Sequence, residues 1–587
     1  MQWISISELI SNIKKVLFRF PLKVMIVLFA TAAAVYMVNN KEDVFLNTDL
    51  AKFLCFCNMT FTLSLATDLY SDSKNRSNAK KWLLKLLAVA VSAIIMLSVK
   101  PELKESHVFI IALFIGAFHM AVSFAAFLKK GFNREFWYFN KTIFLRILMC
   151  ALYTGVIILG LCLAILAVDK LFNAGIDEDV YINVALIVLI AFNTILFLSG
   201  VPDVKNEEYG EQSYPKGLKI FTQYVLIPLM TIYVTILLLY EVKILIEWEL
   251  PNGFVSMLII PYAVLGILSL LLIHPIRNTE GNRWIQLFSK LFYILMIPLL
   301  VLLILAIYKR VSDYGITEER YALMALAVWL AGIAAYFLFS KNDNIKIIPI
   351  SLALLALLCA AGPQSAVAVS KRSQQNRLAK HYPAKTDADK REVLSIVRYL
   401  SNNHGLRSLQ PFTDKNLANI EKGILQKQGK NNHMLSIQLT DTVFAILNVD
   451  ENADIYSYTT FYNTNKNGTV LVDGYSYVIP LEIYPKEQTV NIDSITIVVN
   501  KNQNAYTVKI DNSSDIIFSL DTLMHSVVEK YKKSNSREVI VSNDELSIEK
   551  DNEWGNTKMI VSRFSKSFQT DDKIDTYTLY LLLRPKQ

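Results

Sequence analysis

Charged residues and cysteines are both scarce in this sequence. Asp, Glu, Lys and Arg make up 19% of the 587 residues, whereas soluble proteins usually carry about 25%. Five cysteines are present, all in apolar stretches: Cys55, Cys57, Cys150, Cys162 and Cys359. Their spacing fits neither a disulfide framework nor a zinc site. The sequence therefore predicts no disulfide network and no metal centre.

Signatures of catalysis are also missing. The chain has no phosphate-binding loop, no nucleotide-binding glycine fingerprint, no zinc-binding histidine pair and no nucleophile elbow. We therefore assign no catalytic residue and no cofactor. The net charge of +8 does not require nucleic acid as a partner, because Lys and Arg collect in the cytoplasmic loops of membrane proteins.

Long apolar runs dominate the first 362 residues. A membrane-spanning helix needs about 20 mostly apolar residues, because the hydrocarbon core is about 30 Å thick. Eleven runs meet this requirement: Pro21–Val38, Asp49–Tyr70, Trp82–Val99, His107–Leu128, Thr142–Val168, Val180–Gly200, Lys219–Tyr240, Gly253–His274, Ile285–Tyr308, Arg320–Phe339 and Ile345–Gly362. The sequence predicts a membrane all-α helical bundle of about eleven transmembrane helices, with the lipid bilayer as its partner.

The loops between these runs alternate in positive charge, which predicts their orientation. One set of loops is rich in Lys and Arg, including Lys14, Lys15, Arg19, Lys74, Arg76, Lys80, Lys81, Lys129, Lys130 and Arg134. The other set is poorer and holds the acidic stretch Asp177-Glu178-Asp179. Because the richer loops face the cytoplasm, we expect a cytoplasmic amino terminus. An odd number of spans then places the carboxy-terminal region on the other side.

Composition divides the chain into four parts. Residues 1–20 form an amphipathic helix on the cytoplasmic face, 21–363 form the transmembrane domain, 364–384 form a linker, and 385–587 form a soluble α+β domain with a mainly antiparallel sheet. In this last part Thr386 is expected to cap a helix that ends at Gly405, and Leu520–Tyr531 is an amphipathic helix. Predicted strands are Leu435–Leu439, Ile455–Tyr462, Thr469–Tyr484, Ile495–Val499, Tyr506–Ile510, Val539–Ser542, Met559–Phe564 and Tyr577–Leu583.

Several short motifs give the chain a family resemblance. They are Arg19-Phe20-Pro21, Leu250-Pro251-Asn252-Gly253, Tyr314-Gly315-Ile316-Thr317-Glu318-Glu319-Arg320-Tyr321, Gly362-Pro363, Ser370-x-x-Ser373-Gln374-x-x-Arg377-Leu378, Tyr399-Leu400 and His404-Gly405. The chain resembles the bacterial membrane proteins grouped as domain of unknown function 4153. The resemblance implies a multi-pass architecture and a bacterial inner membrane, and it implies no activity.

Polar groups inside the predicted spans are candidates for function, because burying them in a bilayer is costly. His119 lies near the middle of the fourth span, where it either bonds to a neighbouring helix or serves as a ligand or proton relay. Asp68 and Asn58 lie on a polar stripe of the second span with Thr60, Thr62, Ser64 and Thr67. This stripe either lines a cavity or bonds helices together.

The segment Tyr314–Tyr321 has two interpretations. Thr317 is suited to cap the tenth helix, and the acidic residues after it suit the positive end of that helix. Alternatively, Arg320 joins Lys309 and Arg310 of the same loop and Thr317 in an anion site for a phosphate or carboxylate group.

Three functions are compatible with these features. The first is an envelope sensor or assembly protein whose extracytoplasmic carboxy-terminal domain binds another envelope protein or a small ligand. The second is a transporter or channel, favoured by the number of spans, the polar second span and the prolines Pro228 and Pro298. The third is a membrane enzyme acting on a lipid-linked substrate. A short first outer loop counts against the enzyme, because such enzymes carry an acidic pair in a long loop there.

Overall fold

A computed structural model describes most of the chain. The described residues are 14–40, 48–99, 105–129, 131–204, 214–247, 254–277, 279, 282–340, 343–427, 432–449, 458–463, 472–481, 487–492, 495–502, 505–511, 513–531, 538–567 and 574–586. The predicted amphipathic helix therefore falls mostly outside them, although residues 14–19 are helical. The motif Leu250-Pro251-Asn252-Gly253 also lies outside.

Ten helices among the described residues are long and apolar enough to cross a membrane. They are α1 (Pro21–Asn39), α2 (Thr48–Ser73), α3 (Asn78–Ser98), α4 (Glu105–Phe124), α5 (Asn133–Phe172), α6 (Glu178–Ser199), α7 (Lys216–Glu247), α8 (Phe254–Ile273), α9 (Arg283–Tyr314) and α10 (Glu318–Phe339). Each overlaps one predicted span. The helical membrane bundle expected from the apolar runs is therefore confirmed.

The eleventh predicted span contains a shorter helix, α11 (Ile347–Ala360), of 14 residues. At 1.5 Å per residue it is about 21 Å long, which is less than the thickness of the hydrocarbon core. The residues after α11 continue the segment beyond the end of the helix. There the Gln364 carbonyl accepts a hydrogen bond at 2.6 Å from the hydroxyl of Tyr321, in the first turn of α10. The chain thus leaves α10 at its carboxy-terminal end and returns to its amino-terminal end.

Two of the long helices contain a π-helical turn. In α6 it covers Ile187–Phe192, and in α7 it covers Phe221–Leu226, just before Pro228. A proline cannot donate to the carbonyl four residues earlier, so the wider turn before Pro228 accommodates that loss. Pro298, by contrast, lies inside the regular helix α9. Pro228 and Pro298 therefore lie in different helical settings.

Close packing at one glycine joins α8 to α9. Gly266 faces the Phe292 ring so closely that a Cβ at this position would lie 1.9 Å from Phe292 Cε2. The ring packs with Tyr262 and Tyr293 in a large apolar cluster of α7 to α10. A side chain at position 266 would push these helices apart, so the bundle core here depends on a residue without a side chain.

Helices continue after the last span. They are α12 (Ala366–His381), α13 (Asp387–Tyr399), α14 (Leu417–Lys427) and α15 (Asn432–Ile446). As predicted, Thr386 caps α13: its hydroxyl accepts from the Asp389 N–H at 3.1 Å. A π-helical turn, Leu400–His404, extends α13 to Gly405, whose φ of +79° ends the helix.

One predicted strand is wrong. Leu435–Leu439 was expected to be extended, but these residues lie inside helix α15. The alternating apolar residues in this stretch are too few to distinguish a strand from a helix segment by periodicity alone.

Two sheets form the rest of the chain. The strands are β1 (Tyr458–Asn463), β2 (Tyr477–Leu481), β3 (Glu487–Ile492), β4 (Ile495–Asn502), β5 (Ala505–Ile510), β6 (Ile516–Ser519), β7 (Glu538–Val541), β8 (Ser547–Asp551), β9 (Gly555–Ser567) and β10 (Ile574–Pro585). The larger sheet has the order β2-β10-β9-β1-β7, with β8 also paired to β9. The smaller sheet is the meander β3-β4-β5-β6. Among these pairs only β1 and β7 run parallel, so the mainly antiparallel α+β architecture is confirmed.

The apolar faces of both sheets and of helix α16 (Leu520–Lys530) share one core. Phe461 and Phe564 stack across β1 and β9 with ring centroids 4.5 Å apart. Met524 and Val527 lie on the inner face of α16 and are buried. The alternation of buried and exposed residues in β5 matches the period of two that identified this strand in the sequence.

The described chain divides into two compact units. The first comprises residues 1–380 with 396–447, and the second comprises 381–395 with 448–587. The boundary predicted at residue 385 remains a prediction about independent folding. The compact units offer a second candidate boundary near residue 448.

Candidate functional site

The first turn of α10 is organised by its capping residue. The Thr317 hydroxyl accepts from the Arg320 N–H at 3.5 Å, and the two acidic residues between them occupy the positive end of the helix. Glu319 is exposed, whereas Glu318 is only 5% exposed. A buried carboxylate needs hydrogen-bond donors to offset its lost hydration, and the segment after α11 supplies them.

Three side chains surround the carboxylate of Glu318. The Ser370 hydroxyl donates to Oε1 at 2.8 Å, and His404 Nε2 lies 3.2 Å from the same oxygen. The Tyr399 hydroxyl donates to Oε2. We call these four residues the Glu318 cluster. Its members come from α10, α12, α13 and the turn that ends at Gly405, so it fastens the segment after the bundle to the last long helix.

Burial of the Glu318 cluster determines the protonation state of Tyr399. Desolvation, together with the neighbouring Glu318 carboxylate, raises the pKa of Tyr399 well above its usual range. Tyr399 therefore remains a neutral donor at physiological pH. Its ring also meets the His404 imidazole nearly edge to face, with centroids 5.6 Å apart. Both contacts hold the phenol in the orientation that the carboxylate requires.

The cluster resembles a catalytic triad in composition but not in geometry. In a triad the acid and the nucleophile bind opposite nitrogens of the histidine. Here Glu318 and Ser370 both face Nε2, with the Ser370 hydroxyl 3.4 Å from that nitrogen. The Ser370 hydroxyl is also directed to the carboxylate. This arrangement does not prepare serine for nucleophilic attack.

A second group of contacts fastens the loop between α9 and α10. The Tyr314 ring has the Arg320 guanidinium 5.5 Å and the Arg377 guanidinium 5.9 Å from its centroid. The same guanidinium groups donate to the Tyr314 carbonyl, at 3.2 Å and 2.8 Å. We call Tyr314, Arg320 and Arg377 the Tyr314 clamp. Cation–π contact and hydrogen bonding thus act on the same residue.

The loop inside the clamp requires glycine. Gly315 has φ of +70°, and a Cβ there would lie 2.9 Å from Gln374 Nε2. Gln374 donates to the Tyr314 and Ile316 carbonyls, while the Ser373 hydroxyl accepts from the Ile316 N–H at 3.0 Å. Side chains of α12 therefore serve as the hydrogen-bond partners that water would otherwise provide to the backbone of this loop.

The predicted anion-site residues occupy different surroundings. Arg320 donates to the Tyr314 and Gly315 carbonyls, and Thr317 caps the helix. Lys309 and Arg310 lie exposed in the last turns of α9. These carbonyl contacts use part of the donor capacity of Arg320, so an anion there remains a prediction.

The intramembrane candidate Asp68 belongs to a cluster of charges. Its carboxylate bonds Lys23 Nζ of α1 through Oδ2 and lies 3.2 Å from Lys85 Nζ of α3 through Oδ1. The side chains of Lys23, Asp68 and Lys85 are 0%, 8% and 9% exposed. We call these residues the Asp68 cluster. Two ammonium groups face one carboxylate, and they fasten three helices together.

The other two intramembrane candidates are more exposed. Asn58 is exposed on α2, and its carbonyl accepts from the Thr62 hydroxyl at 2.9 Å. His119 is exposed on α4, with Nδ1 2.8 Å from the Ile115 carbonyl of its own helix. Within the part of the chain that the structure describes, no group of three or more His, Cys, Asp or Glu residues is placed to hold a metal ion.

Sequence reasoning missed most partners of these residues. Lys23 was hidden in an apolar run, and Ser370, Tyr399 and His404 had no assigned role. The signal that points to them is the set of motifs behind the family resemblance. Four of these motifs, separated along the chain, meet in the Glu318 cluster and the Tyr314 clamp.

Comparison with known proteins identifies a family match that includes the membrane region of the chain. Residues 23–395 match the family described as Domain of unknown function (DUF4153). A relative described as "Uncharacterized protein PM1469", from Pasteurella multocida (strain Pm70), is 27% identical over 218 residues. The match covers 36% of this chain and 36% of that relative. No solved structure matches. Because the family match extends over more than half of its residues, the chain belongs to the DUF4153 family of multi-pass membrane proteins.

Proposed function

We propose that this protein is a sensor or binding protein of the bacterial envelope, in which the region after the bundle receives a partner or small ligand and the bundle anchors it. The observation that carries this proposal is the Glu318 cluster. Its buried carboxylate binds three side chains from the segment after the bundle. A shift of that segment would therefore act directly on α10.

The same cluster argues against a catalytic role. Both oxygens of Glu318 already accept hydrogen bonds, and the side chains of Glu318 and His404 are 7% and 2% exposed. A general acid or base must reach the substrate within about 3 Å. Such a saturated carboxylate is suited to holding two segments together rather than to proton transfer with a substrate.

A transporter is the second candidate, and one observation favours it. A cavity of about 310 Å³ is lined by residues of α2, α4, α5 and α6, including His119 and Asn193. A cavity with polar side chains among the spans is expected of a transporter. The Asp68 cluster, in contrast, is packed and mutually paired, which favours an anchoring role.

We also propose that the amino terminus is cytoplasmic and that residues 385–587 lie outside the bacterial inner membrane. Contacts near the two ends of the bundle support this alternation. Arg19 donates to the Val201 and Pro202 carbonyls. Both carbonyls belong to a loop that is predicted on the cytoplasmic side of the membrane, as Arg19 is. On the opposite predicted side, the Ser106 hydroxyl donates to the Asn403 carbonyl at 2.5 Å.

Reporter fusions test this orientation. Alkaline phosphatase fused to the carboxy terminus is expected to be active, and green fluorescent protein fused there is expected to stay dark. The two reporters fused within the loop Lys74–Ser77 serve as the matched control and should behave in the opposite way. The reverse pattern at the two positions would overturn the orientation.

Complementation distinguishes the sensor from the transporter. A deletion strain is screened for growth defects under osmotic, acid and detergent stress, and any defect is complemented with the full chain or with residues 1–447. The sensor proposal expects the shorter chain to reach the membrane folded but to restore no growth. Full restoration by residues 1–447 would contradict the proposal and favour the transporter.

A further inference from the structure

The cavity beside His119 has polar groups at defined positions within an otherwise apolar wall. Its lining includes Thr62 of α2, His119 of α4, and Asn193 and Thr194 of α6, with apolar residues such as Leu65 and Ile147 between them. The volume, about 310 Å³, is at the lower end of the range of about 300–1,000 Å³ for small-molecule sites. All four helices are candidate spans, so a ligand would enter from the lipid phase.

The hydrogen bond of His119 determines what the cavity accepts. Nδ1 lies 2.8 Å from the Ile115 carbonyl, which can only accept, so Nδ1 carries the proton in the neutral ring. Nε2 is then a hydrogen-bond acceptor. It makes no hydrogen bond to any described residue. A ligand that satisfies it must offer an O–H or N–H donor.

Asn193 and Thr194 supply the complementary donors. The Asn193 Oδ1 accepts from the buried Thr154 hydroxyl at 3.0 Å, which fixes the amide and leaves Nδ2 as a donor. Neither Asn193 Nδ2 nor the Thr194 hydroxyl bonds to another described residue. Asn193 follows the π-helical turn Ile187–Phe192, and such turns occur frequently at functional sites.

We infer that this cavity binds a neutral, membrane-soluble alcohol, whose hydroxyl donates to His119 and accepts from Asn193 or Thr194. A hydroxyl group both donates and accepts, so one group satisfies both sides of the cavity. Among the described residues of the wall, none carries a carboxylate or ammonium group, which disfavours a charged head group. Diacylglycerols and polyprenols share this chemistry. The site is separate from the Glu318 cluster and does not depend on the sensor proposal.

Native mass spectrometry of the purified full-length protein tests the inference. The protein is titrated with dioleoylglycerol and with a polyprenol, and in parallel with the acetate ester of each. The esters keep the chains and lose the donor hydrogen. We expect at least one alcohol to bind roughly fivefold more tightly than its ester, since a hydrogen bond contributes about 1 kcal/mol. Which alcohol binds identifies the source of the ligand.

Matched variants complete the test. His119→Phe and Thr194→Val are each expected to weaken binding of the alcohol several-fold and to leave binding of the ester unchanged. The control is Thr235→Val on α7, where an exposed hydroxyl donates to the Thr231 carbonyl. The inference is overturned if neither alcohol binds better than its ester, or if folded His119→Phe and Thr194→Val proteins both bind it as the wild type does.

Discussion

Replacing Asp68 with asparagine is expected to prevent the protein from accumulating in a folded state. The change leaves the ammonium groups of Lys23 and Lys85 buried without the carboxylate that pairs with both of them. Removing one partner of a buried ion pair costs about 3–5 kcal/mol, and a whole domain is stable by only about 5–15 kcal/mol. The measurement is the yield of monodisperse protein from solubilised membranes, together with its thermal midpoint.

Two further variants make this expectation specific. Asp72 lies one helical turn after Asp68 and pairs with Lys81; the side chains of Asp72 and Lys81 are 17% and 20% exposed. The variant Asp72→Asn removes this pair. Its cost should be at most about 1 kcal/mol, because partly exposed pairs are worth little. The triple variant Lys23→Met, Asp68→Leu, Lys85→Met removes all three charges and should restore folding. Equal thermal midpoints for Asp68→Asn and Asp72→Asn would contradict the structural role of the Asp68 cluster.

Local patterns in the sequence were sufficient to predict the bundle. The apolar runs are longer than a core helix needs, and each predicted span overlaps a helix. Thr317 and Thr386 both cap helices, as expected of threonine just before a helical pattern. Strand β5 and helix α16 were also predictable, because each has a buried face at a regular spacing. These features depend on neighbours within a few residues.

Contacts between distant segments were not predictable in this way. Nothing in the apolar run of α1 indicates that Lys23 meets Asp68, 45 residues later. Likewise, Glu318 looked like one of two equivalent acidic residues at a helix start. Its burial depends on Tyr399, 81 residues later. The strand expected at Leu435–Leu439 was wrong for the related reason that a short alternation does not determine secondary structure.

Removing the carboxylate of Glu318 is expected to release the segment after the bundle. In Glu318→Ala the hydroxyls of Ser370 and Tyr399 and the His404 ring lose their shared partner. Each hydrogen bond to a charged group contributes about 1.5–3 kcal/mol, and an orphaned buried donor adds a cost of its own. Tyr399→Phe removes one bond and should lower stability by about 2 kcal/mol. The matched control is Glu319→Ala, since Glu319 is the next residue and is exposed.

Hydrogen exchange in the full-length protein, reconstituted in nanodiscs, is the most direct measurement of this joint. Segments 366–380 and 396–412 should lose protection by roughly thirtyfold or more in Glu318→Ala, which corresponds to about 2 kcal/mol. Strand β5 should exchange as in the wild type, and Glu319→Ala should exchange as in the wild type throughout. If Glu318→Ala leaves both segments as protected as before, the Glu318 cluster does not hold the extramembrane segment to α10.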